Sequence, residues 1–226
     1  MARFEGAPVT VHGAGRTDAG VHALAQVASA SVGFAHACDA VLRGLNASLP
    51  EDVRVTRVED AAAGFHARFS ATSKTYRYVI NRAPVASPFS RAFAWHVPEP
   101  LDLEAMRSAA AALAGTHDFA AFQSAGSETS GTRRTIVRSE VALREEVPFW
   151  RSGSAACAGS YLVYEITGDG FLRHMVRAIV GTLVEIGRGW RTADSMRPLL
   201  AGGDRHGAGA TAPPHGLFLV AVDYHD

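Results

Sequence analysis

The chain has 226 residues, 47% of them hydrophobic and 19% charged, with 22 acidic and 22 basic groups. That balance excludes a disordered tail and a uniformly basic nucleic-acid coat, and no apolar run approaches the roughly 20 residues that cross a bilayer. Cys38 and Cys157 stand without CxxC or Cys/His spacing, which predicts two buried thiols in a reducing cytoplasm rather than a disulfide or a zinc site.

In chain order, "MARFEGAPVT" has no secretory apolar region, and "PVTVHG" predicts a strand running into a glycine-rich turn. "HALAQVASASV" reads as the strand leaving that turn. "CDAVLRGLNASL" places Val41, Leu42, Leu45 and Leu49 at helical spacing, and Pro50 stops it. "VRVTRVED" alternates as a strand. "TYRYVIN" is another, with Tyr76 and Tyr78 on one face and Arg77 and Val79 on the other. Four prolines then punctuate a connection holding "RAFAWHV", an expected edge strand. Residues 101–114 predict a helix that Asp102 caps.

"TIVRSEVALRE" and "SYLVYEITG" predict two further strands joined across "EVPFWRSGSAACAG". Residues 171–186 give the strongest helical pattern, with Phe171, Met175, Ala178, Ile179, Leu183 and Ile186 as its buried stripe and Gly187 and Gly189 at its end. A short helix over 195–200, a long glycine-rich loop expected to be mobile (202–216) and a last strand, "GLFLVAVDY", close the chain. Neighbouring strands are too closely linked for right-handed βαβ crossovers. The expected class is α+β, with a mainly antiparallel mixed sheet flanked by helices.

The stretch "VHGAGRTDAGVHA" carries the chemistry. Gly13 and Gly15 fit the first two places of a dinucleotide fingerprint, but Asp18 stands in the third and no helix follows. A carboxylate facing a pyrophosphate is repelled, and there is no Walker lysine, so phosphate cradling is poorly supported. Glycines also allow positive φ and clear space around one side chain. On such a turn Asp18 is either a nucleophile or base beside Arg16, or a plain Asx-turn cap. Spacing alone favours the cap.

"GAGRTDAGVHA" resembles the G-R-T-D-A-G-V-H signature of the TruA-type tRNA pseudouridine synthases. "LNASLPEDVRV", "FHARFSATSKTYRYVI", "FLRHMVRAIVGTLVEIG" and "GLFLVAVDY" continue the resemblance in the family's order over nearly the whole chain. The resemblance implies a cofactor-free enzyme that needs no metal or nucleotide. It would convert uridine to pseudouridine in the anticodon arm of tRNA, as a homodimer with tRNA lying across both subunits. It further implies that Asp18 is the catalytic aspartate, acting by attack on C1′, addition to the base, or a glycal route. Arg16 would bind the phosphate beside a flipped nucleotide, since a uridine in a stem is reached only by extrusion. Tyr76 would pack on the base, with Tyr78 supporting it, and Leu217 would line the base pocket. Arg177, in "HMVR", would pair with Asp18. Arg173, expected one turn earlier on the same helix face, would meet RNA phosphate.

Phe65, His66, Ala67, Arg68 and Phe69 form an expected RNA-contact loop, and "TSGTRRTI" resembles an RNA-contact segment in which Arg133 or Arg134 is the match. Residues 1–80 read as the part of the catalytic domain bearing the aspartate motif, and residues 81–226 as the part completing the cleft. Family members open with a strand and a loop bearing Y-D-G and G-W-Q; here Met1 stands only slightly upstream of the aspartate motif, so that first strand is not in the sequence. A catalytically impaired RNA-binding relative is the alternative reading, and a nucleotide-binding fold a more distant one.

Overall fold

A computed structural model describes residues 5–33, 35–124, 131–144, 146–147, 150–151 and 161–225. Cys157 and Thr129 and Ser130 of the arginine segment lie outside them. The chain divides into two compact units, Met1–Arg16 with Val27–Ala71 and Thr17–Gln26 with Thr72–Asp226.

In the smaller unit β1 (Val11–Gly13) pairs antiparallel with β3 (Ala28–Ala30), Val11 opposite Ala30 and Gly13 opposite Ala28. Helix α1 (Cys38–Ser48) ends where Pro50 follows, buries Val41 and leaves Cys38 half-buried at its start rather than buried as expected. The alternating segment 53–60 forms no ladder. Its Val55 instead gives its N–H to the Asn46 side-chain oxygen and accepts from the Asn46 amide, both at 2.8 Å, so a side chain on α1 takes the place of a neighbouring strand. The strand that the alternation predicts is therefore not formed among the described residues.

The larger unit is a mixed, mainly antiparallel sheet flanked by helices. Its strands run in the order β2–β11–β4–β10–β7–β6, where β2 is His22–Ala23, β4 Ala71–Asn81, β6 Gly115–Asp118, β7 Arg133–Arg144, β10 Tyr161–Gly168 and β11 Leu217–Tyr224. β5 (Trp95–His96) adds in parallel to the end of β4, and β8 (Glu146–Val147) pairs with β9 (Trp150–Arg151) in a separate hairpin. β10 is antiparallel to both β4 and β7, with Tyr164 opposite Tyr78 and Ile166 opposite Tyr76. The expected single strand "HALAQVASASV" is two. β2 pairs in parallel with β11, and β3 serves the other sheet.

Asp102 caps α2 (Leu103–Ala111), accepting from the Ala105 N–H at 3.0 Å. Helix α3 (Met175–Gly187) is buried almost all round, because its stripe of Met175, Ala178, Ile179, Leu183 and Ile186 joins the sheet core while Val176, Val180 and Val184 are covered as well. Each of these side chains larger than alanine contributes roughly 1.5–3 kcal/mol by leaving water. The helix begins four residues later than its periodicity predicts. Arg173 and His174 form a turn closed by the Met175 N–H on the Leu172 carbonyl, so Arg173 is exposed ahead of the helix rather than a turn earlier along it.

The loop 202–216 is fastened rather than loose. It folds into short turns at Arg205–Gly207 and Pro214–Gly216, after a small helix α4 (Met196–Leu199). Gly209 N–H donates to Thr182 Oγ1, Ala210 N–H to Glu185 and Ala212 N–H to the Arg177 carbonyl, each within 3.0 Å. Gly181 makes this docking possible, since a Cβ there would stand 1.6 Å from the Ala210 oxygen.

Candidate active site

Four elements of the larger unit converge on Asp18. The residue opens a tight turn in which Val21 N–H donates to the Asp18 carbonyl at 3.0 Å. Gly20 takes the third place of that turn at φ 82°, the position where a type II turn requires a left-handed residue. Of the motif's three glycines it alone uses positive φ, and the nearest atom to a Cβ built there is Cγ of Pro214 at 3.1 Å. Just beyond, Leu24 N–H donates to the Leu219 carbonyl and β2 pairs with β11, which ties the turn to the sheet. His22 adds a third hold: its ring stacks on Phe218 with centroids 4.8 Å apart and its Nε2 bonds the Ala92 carbonyl at 2.8 Å.

Arg177 reaches Asp18 from the first turn of α3. Its Nη1 donates to Asp18 Oδ2 at 2.9 Å, while its Nε donates to the Ala212 carbonyl at 2.8 Å. The guanidinium is therefore held at both ends, by the carboxylate and by the docked loop. His174 also faces the carboxylate, with Nε2 3.3 Å from the same Oδ2. Sequence reasoning did not single out this histidine. Its neighbours in "FLRHMVR" drew attention as arginines, whereas its importance comes from a backbone conformation that residue type does not announce.

Tyr76 lies on the helix-facing side of β4, packed edge-on against Phe171 with ring centroids 5.0 Å apart. Burial, and next the Asp18 charge, push its phenol up to about 12, so the ring stays neutral at physiological pH. Tyr78 is fully buried behind it and donates to the Pro213 carbonyl at 2.7 Å. Leu217 begins β11 and is buried in the core against which Tyr76 packs.

The other expected contacts are distributed as follows. Arg16 is exposed and belongs to the smaller unit. In that unit Phe69 is 77% exposed, and His66 lies between it and His12, at centroid distances of 4.3 and 4.5 Å. His66 Nδ1 accepts from the Arg68 and Phe69 N–H groups, Ala67 is buried with its N–H on Ser29 Oγ, and the Arg68 guanidinium lies over the Phe69 ring. Phe65 is half-buried. In the larger unit Arg133 faces Asp118, its register partner, whereas Arg134 shares the face of buried Ile136 and runs along Gly170, beside Phe171.

Among the described residues no group of three or more His, Cys, Asp and Glu side chains could hold a metal ion, and no helix is long and apolar enough to cross a membrane. What the site offers is one carboxylate, two basic side chains converging on one of its oxygens, and a neutral aromatic ring.

Comparison with known proteins gives a consistent result. A family model described as tRNA pseudouridine synthase matches residues 109–225. The tRNA pseudouridine synthase A of Geotalea uraniireducens is 41% identical over 224 residues, covering 99% of this chain and 86% of the relative. The protein of the same name from Solidesulfovibrio magneticus is 44% identical over 228 residues, covering 99% of this chain and 78% of the relative. A third, from Geobacillus sp., is 40% identical over 220 residues, with 97% and 83% covered.

Proposed function

The chain belongs to the tRNA pseudouridine synthase family and isomerises uridine to pseudouridine in tRNA, and from that premise we propose which residues perform the reaction. The isomerisation breaks the bond from C1′ to N1, turns the uracil, and joins C5 to C1′; the proton on C5 leaves and N1 gains one. Asp18 is the catalytic carboxylate. Arg177 fixes its rotamer, Tyr76 packs on the extruded base and Leu217 backs the pocket from the core. A base stacked on an aromatic ring gains about 1–3 kcal/mol, which offsets part of the cost of leaving the tRNA stem.

The observation that carries this reading is the meeting of Asp18 with Arg177, 159 residues away, at 2.9 Å and beside a tyrosine kept neutral by its surroundings. The RNA is held by Arg16 at the phosphate next to the target, by the 65–69 loop with exposed Phe69 and Arg68, and by Arg173. Arg133 or Arg134 adds a further contact: Arg133 is exposed opposite Asp118, and Arg134 gives its Nη1 to the Gly131 and Arg133 carbonyls. We further propose a cytoplasmic homodimer in which the arginines of two copies face one tRNA; sedimentation with and without tRNA reports its stoichiometry.

The decisive experiment is tritium release from anticodon stem-loop RNA carrying C5-tritiated uridine. The wild type should release tritium, and Asp18→Ala should bind the RNA but release none. RNA binding without release by the wild-type chain would identify a non-catalytic RNA-binding relative instead.

A further inference from the structure

We propose that His174 is a positioning residue that, together with Arg177, clamps Oδ2 of Asp18 and presents Oδ1 to the nucleotide. The inference rests on the reading of Asp18 as the reacting carboxylate and goes beyond it by naming the oxygen that reacts and what selects it.

The first observation is conformational. Among the described residues His174 alone, glycines aside, has a positive φ, with φ 62° and ψ 2°. A side chain with a Cβ is uncommon there; glycine is the unstrained occupant, and asparagine, aspartate and histidine are the side chains most often found in its place. His174 also takes the N-cap place of α3, where serine, threonine, aspartate or asparagine would bond a free N–H, yet its side chain makes no cap hydrogen bond. The backbone conformation tolerates a histidine, but the cap rule gives no reason for one here. Its neighbours hold the strained turn shut: Ser124 donates its N–H and its hydroxyl to the Arg173 carbonyl, at 3.3 and 3.4 Å, and Ala178 N–H donates to the His174 carbonyl at 2.9 Å. Strain that the surroundings maintain, in a residue aimed at a functional carboxylate, marks a geometric task.

The second observation is where the imidazole points. Nε2 is 3.3 Å from Asp18 Oδ2, and Arg177 Nη1 donates to that same atom at 2.9 Å. Both basic groups meet one oxygen, and Oδ1 takes part in neither contact. Two anchors on Oδ2 define the plane of the carboxylate, which a single contact would leave free to rotate about it. The left-handed backbone is what brings the imidazole and the guanidinium, three residues apart, onto one atom from two directions. A reacting oxygen placed even about 1 Å off line costs on the order of 100-fold in rate, which sets the scale of what such a clamp preserves.

The test measures tritium release under single-turnover and steady-state conditions, together with thermal unfolding, for the full chain and its variants. His174→Gly should lower kcat on the order of 10- to 100-fold, leave KM for the stem-loop unchanged, and not lower the unfolding midpoint, since glycine relieves the left-handed residue. His174→Gln restores a donor of similar reach and should recover most of kcat. Should the glycine variant fail to fold, His174→Asn keeps the left-handed backbone with too short a side chain and should show the same loss of kcat. Wild-type kcat in the glycine or asparagine variant overturns the proposal. So does a loss that appears in KM, which would make His174 an RNA contact, or one that tracks a lowered midpoint and is not recovered by glutamine. Asp18→Ala is run alongside: release by that variant defeats the assignment of Asp18 itself, whereas an inactive Asp18→Ala with a fully active His174→Gly defeats the clamp alone.

Discussion

Strand β4 separates two arginine–carboxylate clusters built from the same chemical parts. On the face away from the helices, Arg77 donates through Nε and Nη2 to Glu165 Oε2 at 3.0 and 2.7 Å, and Arg138 donates to Glu165 Oε1 at 2.8 Å and to Glu140 at 2.7 Å. Both oxygens of Glu165 are taken. On the helix-facing side, Arg177 and His174 meet a single oxygen of Asp18. Glu165 is the less exposed of the two carboxylates, at 17% against 30%, so burial does not pick out the reactive one. The difference lies in unused acceptor capacity beside a neutral ring. A saturated carboxylate is mortar; one held by half is a tool.

The sharpest way to break the comparison is to remove the arginine that meets Asp18. Arg177→Met should lower kcat for tritium release by about 100- to 1000-fold, the usual loss for one charge-stabilising donor in a site, while RNA affinity changes little. A fall in affinity alone would make Arg177 a phosphate contact. Gly181→Ala probes the support behind that arginine. Its Cβ displaces the docked loop, and the variant should lose roughly 1–3 kcal/mol in urea unfolding together with part of the turnover, because Ala212 no longer holds the guanidinium.

Tyr76 offers a pH signature confined to the helix-facing side. Its phenol stays protonated in the fold up to about 12 against 10 in the unfolded chain. Between those values the unfolded chain has lost the proton and the fold retains it, so the unfolded state binds fewer protons and stability falls as pH rises. The contribution is fully present below pH 10 and is lost by about pH 12, on the order of 2 kcal/mol for this side chain. Tyr76→Phe should flatten that part of the alkaline decline in denaturant titrations between pH 9 and 12. Tyr78 and Tyr164, both raised by burial, maintain the remainder. The smallest effect belongs to the outer cluster: Glu165→Gln should leave tritium release within about twofold of wild type and cost about 1 kcal/mol or less. A large loss of turnover there would erase the distinction between the two faces.

What could be read from residues alone follows the range of the forces involved. Helix α3 declares itself because its stripe is periodic, and β4 because tyrosines and polar residues alternate. The aspartate motif was legible as a resemblance, while its spacing by itself favoured a plain turn. Three features resisted. Residues 53–60 alternate correctly, but the ladder partner is replaced by the Asn46 side chain. The loop 202–216 has the composition of a flexible segment, and its fastening comes from Thr182, Glu185 and Arg177, whose bonds to it depend on tertiary packing. His174 carries no local sign of its role, because φ at one residue is set by what surrounds the turn rather than by its side chain.

The chain leaves the smaller unit after Arg16, contributes Thr17–Gln26 to the larger one, and returns at Val27. The stretch recognised by the family model, residues 109–225, contains the arginine and the histidine but not their aspartate. A chain severed between Ala71 and Thr72 would thus yield a long fragment holding the tongs without the workpiece, and a short one carrying the missing acid on a ten-residue peg. Mixing the two pieces becomes a complementation assay in which recovered turnover reports how well that peg finds its socket.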